Sequence, residues 1–274
     1  MDRLANLVKI GEALPEVFKR SYPVVQPTTE MILALSLLRF HQIDALPIEF
    51  KASEKRRLAV FGYSCLSKLL DTEPKDYGNY LKLPARKAAL ELSTIEKNED
   101  ISALLQVFQK TKFGFAWVES EKLGGFAGLR DLLGLYDDGT IQTKLRLADL
   151  ASPIFSLPKE TEVRTVISEM FARRIRRIFV KGGDSIVTDR RIIGHLFSSS
   201  RLEAAAKKPK GLLDVSLGEL PALTPQIVKD TMTAKKAAKL MSCQAEECLV
   251  CEKGIVTPWD LIMKPLARGD LTIK

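Results

Sequence analysis

The chain has 274 residues, which is enough for about two domains, and its 46% apolar and 28% charged residues are those of a folded globular protein. This composition excludes a disordered, collagen-like or disulfide-stapled chain, and no apolar run reaches the roughly 18 residues that a membrane span requires. Lysine and arginine outnumber aspartate and glutamate by 42 to 34, and the net charge of +8 favours anionic partners such as nucleotides, nucleic acid or an acidic protein.

The N-terminal segment is predicted to form an amphipathic helix, because Leu4, Leu7, Val8 and Ile10 crowd one side of a helix. It lacks the long apolar run and the small-residue cleavage site of a signal peptide, so we expect a cytoplasmic protein. The two histidines of the chain lie far apart in the sequence, which argues against a histidine-based metal site or general base.

One pattern of elements occurs twice in the first half of the chain: an extended segment, a helix, a β-hairpin and a second short helix. Apolar residues at helical spacing mark the first helix, and short apolar runs mark the strands. The first copy is predicted to have an extended start at 24–25, a helix over about 29–40, strands over 45–48 and 58–61, and a helix over about 62–70. The second copy is predicted to have a helix over about 101–108, strands over 113–118 and 125–127, and a helix over about 129–136.

The second half of the chain repeats this pattern twice more. In the third copy, apolar residues between 163 and 171 recur at i, i+3, i+4, i+7 and i+8, which is one face of an amphipathic helix. The other predicted elements of this copy are an extended segment over 153–156, a hairpin that turns at 182–184, and a helix capped by Thr188 or Asp189. The fourth copy is predicted to have strands over 226–228, 248–251 and 254–256, a helix over about 234–241, and a last helix that Thr257 caps.

Three of the four cysteines form a C-x4-C-x2-C sequence, Cys243, Cys248 and Cys251, which is compatible with a zinc site. Cys248 and Cys251 lie in a predicted buried strand, however, where residues three apart point to opposite faces. We therefore expect them to be small apolar core residues and expect no metal site.

The second helix of each copy starts at an equivalent position, and the four positions are Gly62, Gly128, Thr188 and Thr257. They are 60 to 69 residues apart, so the whole chain is predicted to consist of four repeats. One repeat is too small to bury its own sheet, and we expect the repeats to pack in pairs. The Asp-Asp-Gly turn at 137–139 divides the chain into two predicted domains, 1–140 and 141–274. The repeats span about 15–72 and 80–136 in the first domain, and about 146–198 and 212–266 in the second.

The start of each second helix resembles the signature of the cystathionine-β-synthase (CBS) domain, a strand ending in G-I-V-T, two further residues, an Asp and an apolar pair. GIVTPWDLI at 254–262 fits it fully, whereas SIVTDRRII at 185–193 has Arg191 in place of the Asp. GFAGLRDLL at 125–133 keeps Asp131 but has Gly128 in place of the Thr. AVFGYSCLS at 59–67 keeps only the apolar frame, with Gly62 and Cys65 at the two positions.

The resemblance implies an α+β fold of four β-α-β-β-α CBS repeats that pair into two Bateman modules and form a flat disc, as in the γ subunit of AMP-activated protein kinase. It also implies a non-catalytic regulatory protein that senses AMP, ADP or ATP in clefts between paired repeats. A homodimer or a regulated partner protein would then respond to the bound nucleotide.

The residue types at the start of the last helix suit a nucleotide. Asp260 can accept hydrogen bonds from both ribose hydroxyls, and Thr257 lies at a helix N-terminus, where free N–H groups favour a phosphate. The preceding strand at 226–228 would supply backbone groups and apolar surface to adenine through Gln226, Ile227 and Val228. The alternative is purely structural, with Thr257 as an N-cap and Asp260 as an acid that stabilises its own helix.

The other repeats carry variants of this site. Thr188 keeps the hydroxyl, and Arg191 can bind a phosphate but cannot accept from ribose. The first segment of that repeat would contribute Ile154 and Phe155, and four arginines between 173 and 177 could add phosphate contacts. Asp131 is a second candidate for ribose, whereas no ribose site is expected at Cys65.

Two other classes of function compete with nucleotide sensing. An enzyme is not expected, because the sequence has no phosphate loop, nucleophile elbow or HExxH motif. A nucleic-acid-associated or scaffolding protein remains the alternative, on the strength of the net charge, the arginines at 173–177 and the lysine-rich stretch at 207–210.

Overall fold

The computed structural model describes residues 8–41, 43–49, 57–120, 124–207, 209–243 and 248–274, without the side chains of 205–207, 209–210 and 243. Leu4 and Leu7 of the predicted N-terminal helix therefore lie outside the described part of the chain, as do Lys208 and the other side chains of the lysine-rich stretch at 207–210. Helices and strands alternate along the chain in the order that the sequence predicts, which confirms an α+β fold built from four repeats.

Repeats 1 and 2 contain the predicted helices and hairpins. Repeat 1 comprises the helix Met31–His41, the strands Ala45–Pro47 and Leu58–Phe61, and the helix Gly62–Asp71. Repeat 2 comprises the strand Thr94–Glu96, the helix Ile101–Thr111, the strands Phe115–Glu119 and Gly125–Gly128, and the helix Leu129–Leu133. A 3-10 turn, Gly134–Tyr136, follows the last of these.

Repeats 3 and 4 match their predicted elements closely. Repeat 3 comprises the strand Ser156–Leu157, the helix Val163–Arg173, the strands Arg177–Val180 and Ile186–Thr188, and the helix Asp189–Leu196. Repeat 4 comprises the strand Gln226–Ile227, the helix Ala234–Cys243, the strands Leu249–Cys251 and Gly254–Val256, and the helix Pro258–Arg268. In both repeats, and in repeat 2, the first strand is parallel to the second and the second is antiparallel to the third.

A leading segment of short elements precedes each repeat. Ahead of repeat 1 these are Ile10–Ala13 and Pro15–Phe18; ahead of repeat 2, Pro74–Asp76, Tyr77–Leu81, Ala85–Ala88 and Leu90–Glu91. Ahead of repeat 3 they are Ile141–Gln142 and Leu147–Leu150; ahead of repeat 4, Ser199–Lys207, Pro209–Leu213 and Leu217–Glu219. The C-terminal strand Thr272–Ile273 pairs with Ile141–Gln142.

The chain forms two compact units, one of residues Met1–Ser21, Ser93–Ile154 and Pro225–Lys274, and the other of Tyr22–Leu92 and Phe155–Thr224. The first, called the 2–4 unit below, contains repeats 2 and 4, and the second, the 1–3 unit, contains repeats 1 and 3. Each unit thus takes one repeat from each of the domains 1–140 and 141–274 that the sequence predicts. Pairing of neighbouring repeats through their sheets stays a prediction.

Leading segments are exchanged between neighbouring repeats. In the 2–4 unit, the segment ahead of repeat 1 lies on repeat 2, where the Ile10 amide donates to the Glu99 carbonyl at 2.9 Å. The segment ahead of repeat 3 lies on repeat 4, where the Ser152 amide donates to Ile255 at 2.8 Å. Each leading segment thereby covers a sheet that its own repeat does not contain.

A proline in the last helix explains one buried contact of the 2–4 unit. Pro265 has no N–H, so the Leu261 carbonyl lacks the donor that residue i+4 normally supplies. The Tyr136 hydroxyl donates to this carbonyl at 2.6 Å, and the Tyr136 side chain is fully buried. This bond joins repeat 2 to repeat 4.

Repeats 1 and 3 are joined in the 1–3 unit by a ring stack and a network of ion pairs. Tyr63 stacks on Phe171 with ring centroids 4.1 Å apart, and its hydroxyl donates to the Met170 carbonyl at 3.2 Å. Beside this stack Arg176 contacts Asp44, at the start of a repeat 1 strand. The second helix of repeat 1 therefore packs on the first helix of repeat 3.

The prediction of a buried strand at the cysteines is confirmed, because Cys248 and Cys251 are both buried next to or within Leu249–Cys251. Within the described residues there is no cluster of histidine, cysteine and acidic side chains that could hold a metal ion. The described part of the chain also has no helix with the length and apolar character needed to cross a bilayer.

Candidate functional site

The start of the last helix in repeat 4 brings Thr257 and Asp260 together, as the sequence predicts. Thr257 is the N-cap of Pro258–Arg268, and its hydroxyl lies 3.4 Å from the Asp260 amide, which donates to it. In return, Asp260 Oδ2 accepts from the Thr257 amide at 2.8 Å and from the Thr257 hydroxyl at 2.7 Å. The buried strand Gly254–Val256 and the fixed φ of Pro258 set this turn.

The second oxygen of Asp260 is also occupied. Oδ1 accepts from the Ser152 hydroxyl at 2.8 Å and forms an ion pair with Lys264 at 3.0 Å. The Lys264 ammonium in turn donates to Ser152 Oγ and to the carbonyls of Leu150 and Ala151. Asp260 is only 4% exposed, so its carboxylate fastens the leading segment of repeat 3 to repeat 4.

This geometry gives Asp260 a structural role. A carboxylate accepts about four hydrogen bonds, and here all four positions are filled by Thr257, Ser152 and Lys264. A ribose hydroxyl would therefore have to displace a protein hydroxyl, either that of Thr257 or that of Ser152. The contribution of Ser152 and Lys264 was not foreseen, although an Asp and a Lys at i and i+4 on a helix are a recognisable pair.

The side chains in the first strand of repeat 4 differ in their exposure to solvent. Gln226 pairs with the core residue Leu249, and its side-chain oxygen is buried with no hydrogen-bond partner among the described residues. Ile227 points to the opposite face of the sheet and is 69% exposed. The Val228 amide donates to Val250 at 2.8 Å. Ile227 is therefore the residue of this strand that offers apolar surface to a ligand.

Repeat 3 places Thr188 as predicted and gives Arg191 an unexpected environment. Thr188 caps the helix Asp189–Leu196, is 1% exposed, and accepts from the Arg191 amide at 3.4 Å. Arg191 donates through Nη1 to the Ala222 carbonyl at 3.5 Å, while its Nε is buried with no partner within the described ranges. The Nε–H of this guanidinium is thus a buried donor that the described residues leave unused.

The two residues that begin repeat 3 do not share an environment. Ile154 is 43% exposed and belongs to the 2–4 unit. Phe155 belongs to the 1–3 unit and lies under the Arg173 guanidinium, 3.9 Å from its ring centroid. Arg173 also donates to Glu169 at 2.7 Å, so it is already engaged in two contacts.

Arg176 forms ion pairs with two acids. Its Nε donates to Asp189 at 2.7 Å and its Nη2 to Asp44 at 2.5 Å. Arg190 donates to the same Asp44 carboxylate at 2.9 and 2.5 Å. Burial alone would raise the pKa of Asp44, but the two guanidinium charges outweigh burial and hold this pKa well below its usual range. Asp44 and Asp189 therefore neutralise Arg176, and the phosphate contact suggested for the arginines at 173–177 stays a prediction.

Repeat 2 supplies the other candidate acid, Asp131, with a partner from the leading segment of repeat 1. Asp131 Oδ2 accepts from the Gly128 amide at 2.7 Å, and Oδ1 forms an ion pair with Arg20 at 2.6 Å. Arg20 is about half exposed and Asp131 is 12% exposed. Sequence reasoning missed Arg20, and nothing in the local sequence connects it with Asp131.

Repeat 1 has neither a hydroxyl nor an acid at the two equivalent positions, which are Gly62 and Cys65. Cys65, at the position of the acid, is 1% exposed and belongs to the apolar core of the 1–3 unit. Burial raises the pKa of its thiol to about 12, so it stays protonated near neutral pH.

No protein-family model and no curated protein sequence matches this chain. Among solved structures 126 chains match it. Protein MJ1225 from Methanocaldococcus jannaschii, proposed to be an archaeal homologue of γ-AMPK, is 18% identical, with a TM-score of 0.78 over 94% of this chain and 99% of its own. The CBS-domain protein ATU1752 from Agrobacterium tumefaciens is 15% identical, with a TM-score of 0.39 over 46% and 98% of the two chains. CBSX2, solved in complex with AMP, is 17% identical, with a TM-score of 0.37 over 47% and 96%. The likeness to MJ1225 along nearly the whole chain confirms the fold of tandem CBS repeats.

Proposed function

We propose that this chain, which has the fold of four tandem CBS repeats, is a non-catalytic regulatory protein that binds AMP, ADP or ATP. Its principal site is the start of the last helix in repeat 4. The observation that carries the proposal is the arrangement of Thr257 and Asp260, a hydroxyl and a nearly buried carboxylate held together at the N-terminus of an 11-residue helix. This site would bind ribose and phosphate with groups that have no catalytic role.

Several contacts support a nucleotide at this position. The helix N-terminus offers a favourable dipole to a phosphate, although Pro258 has no N–H and the Asp260 amide already donates to Thr257. Asp260 already binds hydroxyl groups, since both Ser152 and Thr257 donate to it. Ile227, on the first strand of the same repeat, is a large apolar side chain that is 69% exposed and could contact a base.

Replacement of the Ser152 hydroxyl by a ribose hydroxyl at Asp260 would also explain how nucleotide binding changes the conformation of the protein. Ser152 belongs to the leading segment of repeat 3, and its bond to Asp260 fastens this segment to repeat 4. A ribose hydroxyl that replaced Ser152 would release this contact and shift the population of the leading segment. A partner protein or a second copy of the chain would respond to that shift.

A thermal-shift panel separates this function from nucleic-acid binding. AMP, ADP and ATP are compared with S-adenosylmethionine and a short DNA duplex, since any ligand of the native state raises its melting temperature. We expect a rise with one of the three nucleotides. A rise with DNA and none with the nucleotides would support the alternative that uses the positive charge of the chain.

The residue-level test is Asp260→Asn, measured by titration calorimetry with the nucleotide that stabilises most. We expect at least about a tenfold weaker affinity, because a neutral amide accepts poorly from both ribose hydroxyls. The matched control is Asp149→Asn, which alters the same kind of helix cap, where Asp149 accepts from the Arg146 amide at 2.9 Å. An Asp260→Asn protein that is folded by circular dichroism and binds like the wild type would remove Asp260 from the site.

A further inference from the structure

The first helix of repeat 1 carries an exposed apolar face that its counterparts in the other repeats do not share. Leu33 is 53% exposed and Phe40 is 79% exposed. Leu37 lies between them along the helix and packs only partly on the core. At about 100° per residue, the three side chains fall within about 60° of one another, so they form one stripe along the helix. We call Leu33, Leu37 and Phe40 the apolar stripe.

The other repeats provide an internal comparison, because their first helices start at equivalent residues, Ile101, Val163 and Ala234. The position of Leu33 is occupied in repeats 2, 3 and 4 by Ala103, Thr165 and Lys236. The position of Phe40 is occupied in repeats 2 and 3 by Lys110 and Ala172. The fold therefore does not require large apolar side chains at these positions. Contiguous exposed apolar surface of this kind typically marks a contact with another molecule.

We propose that the apolar stripe is a contact between two copies of this chain, in which the two Met31–His41 helices pack antiparallel about a two-fold axis. Hydrogen-bonding capacity supports this arrangement, because a histidine ring N–H can donate to a glutamate carboxylate. Glu30 precedes the helix and His41 ends it, both are exposed, and about 20° separates them around the axis, so they lie on the same flank of the stripe. A two-fold axis that passes between the two helices at their midpoints places Glu30 of one copy beside His41 of the other. Symmetry repeats this contact at the opposite end of the helix pair.

Shape supports the same arrangement. Phe40 protrudes at the C-terminal end of the helix, with its ring packed edge-on against His41 at 5.1 Å between centroids. The N-terminal end is broader, because Leu83, 40% exposed, lies there and its carbonyl accepts from the Met31 amide at 2.9 Å. The two-fold axis brings the protruding Phe40 of one copy onto the broad end of the other, near Leu33 and Leu83.

The small area of the apolar stripe determines the expected affinity of the dimer. A contact between two helices of 11 residues is smaller than the roughly 800 Å² per partner of a standard interface, so the dimer should be reversible and of about micromolar affinity. The full chain would then exchange between monomer and dimer at ordinary laboratory concentrations.

Sedimentation velocity on the full chain between about 1 and about 200 μM tests the proposal. We expect a concentration-dependent dimer in the wild type and at least a tenfold higher dissociation constant in Phe40→Glu. The matched control is Ala172→Glu, which places the same charge at the equivalent exposed position of repeat 3 and should sediment like the wild type. Circular dichroism melting establishes that each variant is folded. A wild type that stays monomeric throughout this range, or a Phe40→Glu protein that dimerises like the wild type, would overturn the proposal.

Exchange of charges tests the antiparallel orientation. Glu30→Lys should weaken the dimer, because a lysine in one copy cannot accept a hydrogen bond from His41 of the other. Adding His41→Glu should restore it to near the wild-type dissociation constant, since each lysine then faces a glutamate. A double variant that dimerises no better than Glu30→Lys would contradict the two-fold arrangement.

Discussion

The ion-pair network at Asp44 gives a stability prediction that the structure quantifies. Asp44→Asn removes the negative charge between Arg176 and Arg190, while an amide of nearly the same shape remains. Removing one partner from a fully buried pair costs about 3 to 5 kcal/mol. Asp44 is 19% exposed and the two arginines are 36% and 37% exposed, so water screens part of this effect. We therefore expect a loss of about 2 kcal/mol.

The assay is urea denaturation followed by far-UV circular dichroism, repeated across a range of pH. The pKa of Asp44 is lowered in the folded protein, so its stabilisation is fully present above its unfolded pKa of about 3.9 and is lost as the pH falls through the folded value. The difference between wild type and variant should stay constant from about pH 8 to about pH 5 and narrow only in stronger acid. Asp71→Asn, an exposed acid in the same unit, is the control and should change the stability by less than about 0.5 kcal/mol. A loss below about 0.5 kcal/mol in Asp44→Asn would refute the reasoning.

Two further substitutions test packing within the 2–4 unit. Tyr136→Phe should cost about 1 to 3 kcal/mol in a denaturant titration, because the Leu261 carbonyl loses its donor, and adding Pro265→Ala should recover part of that loss by restoring a helical N–H. A Tyr136→Phe single variant that is as stable as the wild type would show that the hydrogen bond from Tyr136 to the Leu261 carbonyl is not needed. Gly254→Ala should lower the melting temperature sharply, since Gly254 has φ of 141° and a Cβ there would lie 2.0 Å from the Ser152 carbonyl oxygen. A melting temperature equal to that of the wild type would contradict this close approach.

The sequence was sufficient to predict the repeats, because their signals are local. Apolar spacing within Val163–Arg173 and the hairpin turns depend on neighbouring residues, and four copies in register reinforce one another. Capping of the last helix by Thr257 was predictable for the same reason, since an N-cap and its partner are three residues apart.

Contacts between distant parts of the chain were not predictable. Arg20 reaches Asp131, and Asp44 reaches Arg176, across intervals that carry no periodic signal. The exchanged leading segments were missed as well, because elements of four or five residues such as Leu147–Leu150 are too short to leave a clear pattern. The sequence therefore predicts the two helices of each repeat but misses short helices in the leading segments between the repeats.

Ion pairs distinguish the arginines of repeat 3 from one another. A cluster of arginines suggests an anion site when only the sequence is known, yet Arg176 is neutralised by Asp44 and Asp189. Arg191, which replaces the usual acid, keeps a buried Nε without a partner among the residues described. Which arginine is available to a ligand is thus decided by acids that only the folded chain brings close.

A crystal structure of the chain grown with the nucleotide that stabilises it most would examine the principal site atom by atom. We expect ribose hydroxyls at Asp260, a phosphate at the N-terminus of Pro258–Arg268, and a Ser152 hydroxyl that no longer donates to the carboxylate. A nucleotide bound away from this helix, with the 2.8 Å bond from Ser152 to Asp260 intact, would contradict this expectation.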